Sequence, residues 1–335
     1  MIRFGVVGFG LHAEKRLMPG FLQSGKCSVS AISRRDRAKA IRSAEEYCIP
    51  HVFDSTRELC GCEEVDAVFV TSPDALHHFD VLCAIEHGKP VLCEKPMAMN
   101  GREAAEMVKA AENAGVLMGV AHVFRFEKST RRFRERIAAG EIGRPVLARS
   151  EFFYSVSGHG RKWITDPELA CGGPIADVGI HCIDALRFVL DDEVVSVQTE
   201  AVTDEASRPF ESTAVISLAF ESEAIGTVSV STRSDYRTVL EVIGEEGTLT
   251  AFDGLNVERP LVIELSRGTG SGDTEYEEVA NLDAYSKQVD AFASAMESET
   301  VFEVSGREGL INQLILDAAY SSWKSGKQER VEIPD

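Results

Sequence analysis

The sequence predicts a two-domain α/β protein. A doubly wound parallel sheet is expected over residues 1–122, and an α/β domain with an open, mostly antiparallel sheet over residues 123–335. Three observations predict it. In the first 122 residues short apolar runs alternate with helical patterns, as in a parallel sheet built from strand–helix–strand units. The glycine turn Gly8-Phe9-Gly10 follows the first of these runs directly. From Val194 to Ile263 strand-like runs succeed one another with only turn residues between them, which implies largely antiparallel neighbours.

In chain order, the expected strands of the first domain are Arg3–Val7, Ser28–Ile32, His51–Phe53, Ala67–Val70, Pro90–Cys93 and Leu117–Val120. Helical patterns fall at Asp36–Tyr47, Ala75–His87 and Gly101–Asn113. The helix after the first strand contains Pro19, so a kink or break is expected there. Beyond His122 a helix is expected at Lys128–Ala139, a strand at Val146–Tyr154 and an apolar helix within Glu168–Leu190. Strands follow at Val194–Ala201, Thr213–Phe220, Ala224–Ser231, Val239–Gly244, Thr248–Ala251 and Leu261–Ile263. Helices at Asp283–Met296 and Arg307–Lys324 close the chain, and the Gly/Ser-rich stretch 267–273 reads as a hairpin loop.

Composition narrows the function. Of the charged residues, 35 are Lys or Arg and 54 are Asp or Glu, a net charge of −19. That charge argues against nucleic acid, whose phosphates need a basic surface. The acidity belongs to the second domain, which has 21 basic and 38 acidic residues against 14 and 16 in the first. The eight cysteines form no CxxC pair and several sit in apolar runs, which points to free thiols in a reducing cytoplasm. The histidines show no metal-binding spacing, so no metal is expected. No signal peptide and no membrane-length apolar run is read.

The motifs carry the chemistry. Gly8-Phe9-Gly10-Leu11-His12-Ala13 has the form GxGxxA between a strand and a helix, where backbone N–H groups and the helix dipole can hold a pyrophosphate. The second strand ends Ser33-Arg34-Arg35, without the carboxylate that receives the ribose 2′-hydroxyl of NAD. A guanidinium there suits a 2′-phosphate, so NADP is the expected cofactor, with NAD possible. The alternative is that Arg34 belongs to a solvated basic helix face. Ser72, Pro73 and His77 follow the fourth strand and should border the nicotinamide end, with Asp74 facing the cleft or capping a helix, and His77 either catalytic or simply superficial.

Cys93-Glu94-Lys95-Pro96 ends the fifth strand, the edge at which such sheets bind ligands. An ammonium at Lys95 would polarise a carbonyl and protonate the resulting alkoxide; the neutral amine would take the proton in reverse. Asp177 and His181 are four residues apart and would share one face of a helix. They serve either as the rest of an acid–base centre with Lys95, or as a helix cap and a core histidine.

Taken together these motifs resemble the glucose-fructose oxidoreductase / inositol dehydrogenase (Gfo/Idh/MocA) family. The resemblance rests on GxGxxA, on Ser72-Pro73 with His77, on Glu94-Lys95-Pro96, and on Gly172-Gly173 followed by Asp177, Gly179, His181 and Asp184. It implies NAD(P)-dependent oxidation or reduction of sugars, cyclitols or related polyols, with Lys95, Asp177 and His181 catalytic. It implies Glu94 at the cofactor and pairing through the second sheet into homodimers or homotetramers. It implies a carbohydrate-like substrate lined by Arg125, Tyr154, Arg161, Trp163 and Asp184, with Trp163 either stacked on a sugar face or serving as a core or interface residue. The chain departs from the pattern at Cys171, where glycine is common, and at Asp74, where asparagine is usual. His181 separates it from the dihydrodiol dehydrogenase branch, where tyrosine is usual. Other readings within this resemblance are a dihydrodiol-type oxidoreductase, an enzyme that cycles a retained NADP between two sugars, and a non-catalytic NADP-binding regulator.

Overall fold

A computed structural model describes the chain except residues 158, 159, 161, 206–208, 269–272 and 334–335. Arg161 and most of the Gly/Ser-rich loop therefore lie outside the described residues. The chain folds into two compact units. One comprises Met1–His122, Glu168–Cys171 and Tyr285–Gln313; the other comprises Val123–Pro167, Gly172–Ala284 and Leu314–Asp335.

The first unit begins with β1 (Ile2–Val7), whose helix opens with a π-helical turn at Ala13–Leu17 and continues as α1 (Met18–Gln23). The change of register falls one residue before Pro19, so the bond that its missing N–H cannot make falls at the junction of the two helical registers. There follow β2 (Cys27–Ser33), α2 (Arg37–Tyr47), β3 (His51–Phe53), α3 (Thr56–Cys60), β4 (Ala67–Val70), α4 (Asp74–Glu86), β5 (Val91–Cys93), α5 (Gly101–Ala114) and β6 (Met118–Val120). The six strands are all parallel in the order β3-β2-β1-β4-β5-β6. Every residue of β4 and β5 is buried, as expected of strands covered on both faces. The order reverses between β1 and β4, which is where a doubly wound sheet opens a crevice for a ligand. Phe4 anchors the core of this unit, with its ring 5.3 Å from Phe21 and 6.1 Å from Phe292.

The second unit carries α6 (Lys128–Ala138), β7 (Pro145–Ser155), a π-helical turn at Ile175–Gly179 running into α7 (Ile180–Leu190), and then β8 (Val194–Val202), β9 (Thr213–Phe220) and β10 (Ile225–Ser231). After these come β11 (Arg233–Gly244), β12 (Gly247–Phe252), β13 (Leu261–Arg267) and β14 (Thr274–Val279). Helices α8 (Ala284–Ser298) and α9 (Gly306–Ser325) precede a short β15 (Glu329–Arg330). The sheet runs β14-β13-β12-β11-β7-β10-β9-β8-β15, antiparallel except where β7 and β10 pair in parallel. Helix α7 packs on β7 and β10. The opposite face presents Val215, Ile225, Phe252, Val262 and Tyr276 to solvent. No described helix is long and apolar enough to cross a membrane.

Three elements were not expected from the sequence: α3, β14 and β15. Thr274-Glu275-Tyr276-Glu277-Glu278-Val279 shows no apolar alternation, because it is an edge strand held by its backbone to β13. The five-residue α3 and the two-residue β15 are too short to carry a period.

Candidate functional site

The first unit builds a cradle at the end of β1. Gly8 has φ +77°, and a Cβ on it would meet the Ser72 backbone at 2.5 Å. The N–H groups of Gly8 and Phe9 donate to the Ser33 carbonyl at 3.0 and 2.9 Å, tying the turn to the end of β2. Gly10 differs: a Cβ there would meet nothing closer than the Gly8 carbonyl, at 3.6 Å. Packing within the protein does not demand glycine at that position, whereas close approach of a ligand to the backbone does. The cradle therefore fits a dinucleotide. The Phe9 side chain is fully buried, edge-on to Tyr47, so only its backbone can serve the cradle.

The loops after β4 and β5 are fastened to each other and to the cradle. His12 Nε2 lies 2.9 Å from Glu94 Oε1, and Glu94 Oε2 accepts from the Lys95 N–H at 3.2 Å. Burial pushes the Glu94 carboxyl up, but His12 and Lys95 outweigh it and hold it below the usual range. His77 is buried, not superficial. One ring nitrogen faces the Ser72 carbonyl at 2.8 Å and the other the Pro96 carbonyl at 2.9 Å, so His77 bridges the two loops. The Ser72 hydroxyl is turned inward, donating to Asp80 at 2.6 Å. Burial raises the Asp80 carboxyl, against the pull of Ser72, Thr56 and His77. Pro73 sits at the N-cap of α4, and Asp74 accepts from the Cys171 N–H at 2.9 Å. The two departures from the family pattern thus meet each other.

At the end of β2, Ser33 is buried, and Arg34 donates to Glu14 Oε1 at 2.6 Å. The expectation that no carboxylate stands there is corrected: Glu14 brings one from the helix after the cradle. Nothing in the linear motif signals it, since the residue belongs to a different element.

In the second unit Asp177 lies in the π-helical turn and His181 in the first turn of α7. They stand four residues apart across a change from π-helical to α-helical register. The Tyr154 hydroxyl donates to Asp177 Oδ2 at 2.6 Å. The His181 ring is edge-on to Phe124, with centroids 4.6 Å apart, and stacked with Phe152 at 6.4 Å. Tyr154, Asp177, Gly173, Phe210, Glu211 and Thr232 line one cavity.

Glu211, which the sequence reading passed over, stands behind this turn. Its Oε1 accepts from the Ile175 N–H at 2.8 Å and from the Tyr320 hydroxyl at 3.0 Å. It is 1% exposed, and burial raises its carboxyl despite the bonds from Ile175, Tyr320 and Gly173. The glycine pair follows from this packing. A Cβ on Gly172 would meet the Tyr320 hydroxyl at 1.8 Å, and one on Gly173 the Glu211 carbonyl at 2.3 Å.

Two residues expected at the substrate are interior instead. Arg125 forks onto Asp184 with contacts of 2.9, 3.1 and 2.7 Å, both side chains being buried. Two opposite charges 59 residues apart in sequence give no sign of pairing until the chain is folded. Trp163 is half-buried in a 3₁₀ turn at Lys162–Thr165.

Residues 2–122 match the model of an oxidoreductase family with an NAD-binding Rossmann fold, and residues 130–250 match the GFO/IDH/MocA C-terminal domain. The chain belongs to the GFO/IDH/MocA family. Among curated members it is 32% identical over 312 residues to 1,5-anhydro-D-fructose reductase of Ensifer adhaerens, covering 92% of each chain. It is 30% identical over 325 residues to D-xylose 1-dehydrogenase (NADP(+)) 2 of Haloferax volcanii, covering 96% of this chain and 98% of the relative. Its fold is that of the aldose-aldose oxidoreductase from Caulobacter crescentus, with a TM-score of 0.91 at 23% identity over 98% of this chain and 99% of that one. As a GFO/IDH/MocA protein it is an oxidoreductase, and its Rossmann unit and mixed second sheet are those the motifs implied.

Proposed function

We propose that the protein is an NADP-preferring dehydrogenase or reductase acting on a carbinol or carbonyl of a sugar, cyclitol or related polyol. Lys95, Asp177 and His181 are its acid–base groups. The observation that carries the reading is Asp177. It is a carboxylate held by Tyr154 on a cavity wall, close in sequence to a histidine packed between two phenylalanines, in a chain whose cradle fits a dinucleotide. The names of the two curated relatives support a carbohydrate substrate, and one supports NADP.

When bound, the nicotinamide ring supplies the hydride acceptor or donor. The chain's own residues handle the proton. In the reducing direction Lys95, as an ammonium, hydrogen-bonds the carbonyl oxygen and donates a proton as the alkoxide forms. In the oxidising direction the neutral amine receives the carbinol proton. His181 completes the relay, and Asp177, oriented by Tyr154, stabilises the charge that passes through it. Glu94 and His77 hold the backbone on either side of Lys95.

The test is a panel of aldoses, ketoses and cyclitols with the purified protein, followed at the NADPH absorbance band. Turnover of at least one class with NADP is expected. Tight NADP binding with no turnover across the panel would leave the regulator reading in its place.

A further inference from the structure

Glu14 stands where a cofactor ribose would meet the end of β2, and the family motif assigns it nothing. It lies in the π-helical turn after the cradle, with its N–H bonded to the Gly10 carbonyl at 2.9 Å. Its Oε1 receives two side-chain bonds. One comes from Arg34 Nη1 at 2.6 Å, the other from the Ser43 hydroxyl of α2 at 2.9 Å. The pair is only partly screened by solvent, with side chains 19% and 28% exposed for Arg34 and Glu14. Arg35, the neighbouring cation, is exposed and makes no ion pair among the described residues.

We propose that Glu14 is a cofactor-specificity residue, which restrains the preference for NADP and keeps NAD usable. The inference rests on the dinucleotide reading above, which puts the ribose 2′ group at the end of the second strand.

Arg34 alone offers a 2′-phosphate a full positive charge and a forked donor. With Glu14 bonded to it, the local charge is close to zero and one arm of the guanidinium is engaged. A phosphate monoester, carrying about −1.5 to −2 at neutral pH, must share that guanidinium with a carboxylate that repels it. A 2′-hydroxyl meets the opposite situation, because it can donate to the carboxylate, which is the arrangement NAD-binding folds obtain from an acid at the strand end. Glu14 thus supplies from the helix what β2 lacks. Ser43 matters because it donates to the same carboxylate oxygen as Arg34, a second bond that holds the acid in place.

The experiment measures dissociation constants of NADP and NAD by titration calorimetry on the full-length protein, for the unmodified chain, Glu14→Gln, Glu14→Ala and Arg34→Ala. Both Glu14 variants should tighten NADP by roughly two- to fivefold, the size expected of a part-exposed ion pair, and leave NAD unchanged or weaker. The gain should shrink at high salt. A ratio of NADP to NAD affinity that stays level or falls in both Glu14 variants overturns the proposal. If Arg34→Ala still weakens NADP in that case, the cofactor reading survives without the role for Glu14. If the unmodified protein binds neither dinucleotide, both fall together. The Ala variant guards against the Gln side chain retaining the bond to Arg34.

Discussion

Lys95 is the residue on which the proposed chemistry turns, and replacing it separates catalysis from binding. Lys95→Met should lower kcat by roughly 10²–10⁴-fold, the usual contribution of a general acid–base group. NADP affinity should be nearly intact, since the cradle of Gly8 to Gly10 is untouched. His181→Ala should show a smaller loss. Steady-state rates close to wild type for Lys95→Met would remove the assignment. If His181→Ala instead lowers the melting temperature at full specific activity, His181 is a packing residue between Phe124 and Phe152. At this scale the sequence was legible where chemistry is written in a contiguous motif, as in Gly8-Phe9-Gly10 and Glu94-Lys95-Pro96. It was not legible where meaning depends on a distant partner. Arg125 and Asp184 read as substrate groups until they are seen bonded to each other, and His77 reads as superficial until it is seen between two carbonyls. Glu14 was missed for the same reason.

The informative element is the turn from Gly172 to Gly179, which carries Asp177 and leads to His181. Gly172 and Gly173 are fixed by contacts with Tyr320 and Glu211, so Gly173→Ala should be severe. The new methyl meets backbone, not a movable side-chain tip. A loss of roughly 1–3 kcal/mol in stability is expected for overpacking of this kind. Tyr320→Phe removes one bond to Glu211 and should be milder. Thermal unfolding of the two variants orders them, and equal melting temperatures for Gly173→Ala and wild type would show that the turn yields. The π-helical register itself was not legible, because Ile175 to Leu190 is apolar on nearly every side and shows no period that distinguishes one helix type from another. The parallel strands, by contrast, were legible as continuous apolar runs, since burial on both faces leaves no polar alternation to confuse them.

Buried carboxyls make a further prediction about the second unit. Burial raises Glu127 well above the carboxylate range, against bonds from Thr130 and the Asn256 backbone, and raises Glu211 as well. For a group whose folded value lies above its unfolded value, the stabilisation is present below the unfolded value and is lost as pH rises through the folded one. Both therefore favour the fold in mild acid and weaken it as pH climbs. Glu94, held low, acts oppositely and costs stability only as pH falls. Glu127→Gln should flatten the alkaline side of a plot of melting temperature against pH. An unchanged alkaline slope would mean that Glu127 does not ionise in the range tested.

For the whole molecule, the second sheet is covered on one face and open on the other. The open face joins Val215 of β9, Ile225 of β10, Phe252 of β12, Val262 of β13 and Tyr276 of β14, with Phe252 61% exposed. Register places them on one side: Val215 pairs with Ser229, Val239 with Phe252, and Glu264 with Tyr276. Near the middle, Arg149 lies 3.4 Å from Glu241, and Arg237 3.0 Å from Glu151, so the charges there are already matched within the chain. Scattered apolar residues on a surface are ordinary, but a row of them across adjacent strands around neutralised charges is how association surfaces are built. The rest of this domain is strongly acidic, which would keep copies apart unless such a face outweighed the repulsion. We expect a homodimer or homotetramer joined through this sheet. Light scattering across a range of protein concentration should report it. Phe252→Asp together with Ile225→Asp should lower the mass to that of one chain while leaving the melting transition cooperative, because both side chains point away from the core. A single-chain mass for the unmodified protein at every concentration would show that water, not a second copy, covers this face.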